Sequence, residues 1–141
     1  MPRPPRAFHT LALCLLGVLI LAAGCVANQE RLTQLEDGLR VYDGAIRWGD
    51  YGTAQAFVKR GEAGDAAQRP LPGSNIRVTA YEVVREAMLR QEDSGYTERL
   101  VQLRYYNSEN AVEKTLLDRQ RWEFDEQAQR WLITSGLPPF Q

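Results

Sequence analysis

The sequence predicts an α+β fold, with two N-terminal helices packed on a curved antiparallel sheet of about four strands. Between Gln29 and Gly49 apolar residues return every three or four positions, the period of a helix. From Ile76 onward they return mostly at every second position, the period of a strand. The stretches between these later runs are short and rich in turn residues, so the strands should follow one another as a meander. The chain's 141 residues are room for one domain.

Ahead of the first helix lie three zones. Met1 to Thr10 is polar and carries Arg3 and Arg6, and Leu11 to Ala23 is an uncharged apolar run of 13 residues. Leu21-Ala22-Ala23-Gly24-Cys25 then closes the segment. A helix needs about 20 apolar residues to cross roughly 30 Å of hydrocarbon. The run is too short for that but fits a signal-peptide core of about 7–15 residues. With small residues Ala23 and Gly24 before Cys25, the segment resembles the lipobox of bacterial lipoproteins. It departs from the usual pattern at Ala22, where those proteins commonly have Leu. Cys14 is a poor competitor, because Leu13 precedes it and no complete apolar core lies upstream.

The resemblance implies cleavage after Gly24, a diacylglyceryl thioether on Cys25 and an acyl chain on the new amino group. Each buried methylene contributes about 0.8 kcal/mol, so two or three chains anchor a protein durably where one does not. The implied partner is thus the membrane itself, reached through covalent lipid. Val26, in place of the Asp that often retains such proteins at the inner membrane, points to the outer membrane with the domain facing the periplasm. The expected organisation is a signal peptide over 1–24, a lipidated linker over 25–28 and one domain over 29–141.

Cleavage would change the chemistry that remains. It removes His9, Cys14 and two of the 17 basic residues, leaving 15 against 18 acids and a net charge of −3. A mildly acidic domain is a poor partner for nucleic acid, which demands a basic face. The basic residues are nearly all Arg, with only Lys59 and Lys114 as Lys. A GC-rich genome explains that bias better than anion recognition does. The mature chain would hold no histidine and no free thiol, and so no common general base, zinc ligand or cysteine nucleophile. The sequence has no phosphate-binding glycine loop, metal-spaced carboxylate set or serine nucleophile motif, and no cofactor is expected.

In the first helix Leu32, Leu35, Leu39, Tyr42 and Ile46 form the apolar stripe, with Val41, Ala45 and Trp48 widening it. Gly38 and Gly44 each weaken the helix by up to about 1 kcal/mol and would let another element approach closely. Arg31 to Arg47 share this helix with Glu30, Glu36 and Asp43, a pattern of solvated ion pairs rather than an anion site. Asp50 can cap a second helix carrying Ala54, Ala56, Phe57 and Val58 and ending near Gly61.

Residues 61–75 are a loop by composition. Ile76 to Val84 is the first strand, with a slip of alternation at Val83-Val84 that suggests a bulge. Asp93-Ser94-Gly95 is a turn. Residues 97–106 place Val101, Leu103 and Tyr105 on one side, and Asn107 to Asn110 turn again. Residues 112–124 place Leu116, Asp118, Gln120, Trp122 and Phe124 on one face. Trp131 and Ile133 open the last strand, which ends before Gly136 and Pro138-Pro139.

A long amphipathic helix, the Trp48-Gly49-Asp50-Tyr51 joint and the Gln120-Arg121-Trp122-Glu123-Phe124-Asp125 segment before Trp131-Leu132-Ile133 together resemble the NTF2-like (SnoaL-like, cystatin-like cone) superfamily. They also look like small proteobacterial lipoproteins with this ending. The resemblance spans roughly residues 29–138 and implies a cone whose mouth can hold a small ligand. In that cone Asp118 and Gln120 would lie inside, with Tyr42, Tyr81 and Tyr105 as walls. Asp118 could then act as a base if burial raised its pKa. The competing expectation pairs Asp118 with Arg104 or Arg119 at a sheet surface. Trp48, Trp122 and Trp131 suit a carbohydrate or peptide platform, but an apolar stripe favours core packing for all three.

The expectation is a non-catalytic lipoprotein module that binds an envelope protein or component. The alternative is a small-molecule binder or enzyme using a pocket Asp or Tyr. A homodimer would follow if a sheet face were exposed.

Overall fold

The computed structural model describes residues 29–60, 71–86 and 95–141. The leader, Cys25 and the linker fall outside them, as do residues 61–70 of the predicted loop and Asp93-Ser94 of the predicted turn. The chain divides into two compact units, Met1–Gln34 and Leu35–Gln141. Of the first, residues 29–34 are described and helical, with Thr33 donating its hydroxyl to the Gln29 carbonyl at 3.1 Å. Among the described residues no helix is long and apolar enough to cross a membrane.

The fold is α+β, two helices on a four-stranded antiparallel sheet of order β1-β2-β3-β4. Helix α1 covers residues 29–48. Leu35, Leu39, Tyr42 and Ile46 are buried at the four-three-four spacing of a single helical face, with Ala45 buried beside them. Gly49 ends the helix at φ +74°. Its N–H reaches the Ile46 carbonyl at 3.2 Å, and the Asp50 N–H reaches Ala45 at 2.8 Å. This pair is the Schellman arrangement, which needs a left-handed residue that glycine supplies without strain. Asp50 then caps α2 (Tyr51–Gln55), accepting the Thr53 N–H at 3.1 Å.

The second helix is shorter than its apolar pattern suggests. After Ala56 the backbone bonds to the sheet instead of extending the helix. The Ile133 N–H reaches Phe57 at 2.8 Å, the Lys59 N–H reaches Ile133 at 3.0 Å, and Val58 bridges Ile133 in parallel. Phe57 and Val58 suit extended structure, so tertiary pairing overrides the helical spacing.

Two other helix expectations are corrected. Trp48 is 85% exposed and Val41 50% exposed. At about 100° per residue Trp48 lies half a turn of the wheel from Leu39, on the opposite side of the helix from the buried stripe. A Cβ at Gly44 would meet nothing within 4 Å, whereas one at Gly38 would touch Phe57 at 3.5 Å. Only Gly38 therefore faces a neighbouring side chain.

The strands are β1 (Ile76–Glu86), β2 (Tyr96–Asn107), β3 (Glu113–Asp125) and β4 (Arg130–Ile133). The register between β1 and β2 shifts between Val83 and Arg85, where the alternation slips, and again between Val78 and Ala80. The inner face carries Val101, Leu103 and Tyr105 of β2, Trp122 of β3, and Trp131 and Ile133 of β4, all buried against the helices' apolar side chains. Tyr42 meets Trp122 edge-on at 5.1 Å and Phe57 at 6.1 Å. Burying each such side chain contributes about 1.5–3 kcal/mol.

Candidate functional site

The inner face also carries polar residues, and alternation places them there. Arg99 shares its parity with Val101, Leu103 and Tyr105, while Asp118 and Gln120 share theirs with Trp122. The register sets Arg99 opposite Gln120, and Val101 opposite Asp118. From α1, Asp43 follows the buried Tyr42 and reaches toward the same patch.

Arg99 is the hub. Its Nε donates to Gln120 Oε1 at 2.8 Å, and its Nη1 to Asp43 Oδ2 at 3.1 Å. Its Nη2 donates to Asp43 Oδ1 and, at 2.9 Å, to Tyr81 Oη. Tyr81 in turn donates to Asp43 Oδ1 at 2.5 Å. Gln120 Nε2 spans Tyr81 Oη at 3.3 Å and Asp118 Oδ2 at 2.8 Å. The Arg99 side chain is 4% exposed and that of Asp43 26% exposed.

A buried guanidinium survives only when paired and hydrogen-bonded. Burial works against the Arg99 charge, but the Asp43 hydrogen bond, with the electrostatic pull of the Tyr81 oxygen and of Asp43, outweighs it and raises its pKa. Burial pushes the Tyr81 hydroxyl far above its ordinary value; Arg99 opposes this and Asp43 adds to it. Burial likewise raises Tyr42, reinforced by Asp118. Both phenols therefore keep their protons, and Tyr81 holds its proton in a bond to Asp43. The cluster is a polar clamp between α1 and the sheet rather than a poised acid–base pair.

Tyr42, Tyr81, Asp118 and Gln120 thus come together, but Tyr105 does not join them. Its hydroxyl accepts the Gln141 N–H at 3.1 Å, and its ring packs on Phe140 at 4.8 Å. Arg104 and Arg119, the expected surface partners of Asp118, point to the opposite face, because each follows the other parity of its strand. Trp122 and Trp131 are core, as their stripes require. Asp43 and Arg99 went unread in the sequence. Asp43 lies one residue from the stripe and looked like part of a solvated charge series. Arg99 was legible from strand parity alone.

Cavities lined by described residues include the following pair. One of about 140 Å³ is bounded by Arg85, Glu98, Arg99, Leu100 and Arg119. The other, about 640 Å³, lies among Arg47, Trp48, Gly49, residues 76–79 and Tyr106. Neither includes Asp118, Gln120, Tyr42, Tyr81 or Tyr105 in its walls. Among the described residues no cluster of three or more His, Cys, Asp or Glu could hold a metal.

Comparison of the chain with protein-family models, curated proteins and solved structures returns no match.

Proposed function

We propose that this chain is a lipoprotein of the bacterial envelope, anchored through Cys25, whose NTF2-like domain is a non-catalytic binding or assembly module facing the periplasm. The observation that carries the anchoring is the small-residue pair Ala23-Gly24 before Cys25 at the end of a 13-residue apolar run. The order of two helices and a four-stranded meander is compatible with an NTF2-like domain. A non-catalytic role is supported by the inner-face polar groups, which hydrogen-bond one another across helix and sheet. The small-molecule or enzymatic alternative through Asp118 would need open space beside that residue, and neither described cavity supplies it.

Labelled fatty acid fed to cells expressing the full chain tests the anchoring. The wild type should take up label and fractionate with the outer membrane, and Cys25→Ser should lose both. Undiminished labelling of Cys25→Ser would sink the assignment.

A further inference from the structure

The groove beside Trp48 has no part in the inner-face cluster. Its walls come from the end of α1 with Gly49, from the first four residues of β1 and from Tyr106 of β2. Its volume, about 640 Å³, is that of a ligand site. Trp48 stands on its rim 85% exposed, held at the helix end by the Gly49 turn. A tryptophan so exposed is costly in water and is the residue type most enriched at binding hot spots.

Strand β1 is an edge of the sheet, with β2 on one side and no strand on the other among the described residues. Alternate residues of an edge strand direct N–H and C=O groups away from the sheet, a template for another chain. Two arginines mark out that edge. Arg77 Nη1 donates to the Ile76 carbonyl at 3.2 Å and also to the Ser74 carbonyl. Arg47 Nη2 donates to the Tyr81 carbonyl at 3.2 Å. These contacts are to backbone carbonyls and not to carboxylates; a guanidinium that turned to a visiting carboxylate would release its carbonyl of β1 to the added strand. Of the acids nearby, Glu113 accepts the Thr79 hydroxyl at 2.9 Å, Asp50 caps α2 and Asp43 is held by Arg99 and Tyr81, while Glu82 stands exposed on β1 itself. At about 3.3 Å per residue, Ile76 and Tyr81 would be roughly 16 Å apart on a regular strand, and the register shift between Val78 and Ala80 brings that span closer to a five-residue extended peptide.

We propose that this edge binds an extended acidic peptide segment of a partner protein by strand addition to β1. Carboxylates four residues apart on that segment would meet Arg47 and Arg77, and an apolar or aromatic side chain between them would lie on Trp48. The proposal rests on the reading of the domain as a binding module and not on its anchoring.

The test titrates the full chain in detergent with the blocked peptide Glu-Val-Phe-Val-Glu, following tryptophan emission. Trp122 and Trp131 are buried, so the response reports Trp48. A saturable shift is expected, lost in high salt and absent with Lys-Val-Phe-Val-Lys. Trp48→Ala should weaken binding at least about tenfold by competition with a labelled peptide, and Arg77→Gln at least about threefold, with unchanged circular dichroism. Equal binding of the basic peptide, or unaltered affinity in Trp48→Ala, would overturn the proposal. Preference for anionic vesicles or glycan fragments over the acidic peptide would overturn it too. If the peptide fails while crosslinking in cells maps a partner to another face, the edge site falls and the binding module stands. If neither binds, both fall.

Discussion

At the scale of single residues, two tyrosines in one patch have opposite roles. Tyr81 Oη accepts from Arg99 and Gln120 and donates to Asp43. Tyr42 Oη is buried with no hydrogen-bond partner among the described residues. Removing a partnered hydroxyl strands the groups it served, at about 1–3 kcal/mol, whereas removing an unpartnered one relieves a desolvation cost. Tyr81→Phe should therefore lower unfolding stability by about 1–3 kcal/mol, and Tyr42→Phe should be neutral or stabilising within about 1 kcal/mol. Urea denaturation of the two variants checks the pair; equal losses would show that the cluster is not organised as described. Residue by residue, the sequence revealed the apolar members and Gln120 because strand parity is strict. It hid Asp43 because a charge near a stripe usually belongs to water; parity puts Arg99 on the inner face, but its pairing with Asp43 joins positions 56 residues apart.

At the scale of elements, the clamp holds α1 to the sheet through Asp43, Tyr81 and Arg99 on three separate segments. That arrangement predicts a response to alkali. Burial raises both Tyr42 and Tyr81 above the ordinary 10.0. The unfolded chain releases those protons first as pH rises, so their contribution to stability is complete below 10.0 and declines above it. Unfolding free energy should be nearly level toward pH 10 and then fall steeply, by about 1.4 kcal/mol for each pH unit and each tyrosine still protonated in the fold. Tyr81→Phe should make the fall shallower. A flat profile above pH 10 would contradict the buried phenols. Among elements, the strands were the more legible. Their alternation and turns located all four, and the slip at Val83-Val84 located one of two register shifts. The second, between Val78 and Ala80, leaves no mark, because Ile76, Val78 and Ala80 keep the apolar alternation across it. The short α2 could not be read, because the Ile133 backbone that captures Phe57 and Lys59 lies far along the chain.

At the scale of the whole molecule, the described domain is built to hold itself together on one face and to offer an edge on another. The inner-face polar groups bond among themselves, while Trp48 is exposed and β1 has no second strand beside it among the described residues. Such a division suits a module that works by contact, and contact in the envelope would be concentrated by a membrane anchor. Nothing about an anchor is legible from the packing of the sheet; it rests on the chemistry of Cys25 and the small residues before it. Mass spectrometry of the N-terminal peptide from the envelope fraction tests that reading most directly. The expected result is a peptide that begins at Cys25 and carries the mass of a diacylglyceryl group and an amide-linked acyl chain. A peptide in which residues 22–26 are unbroken, or an unmodified one beginning elsewhere, would contradict it.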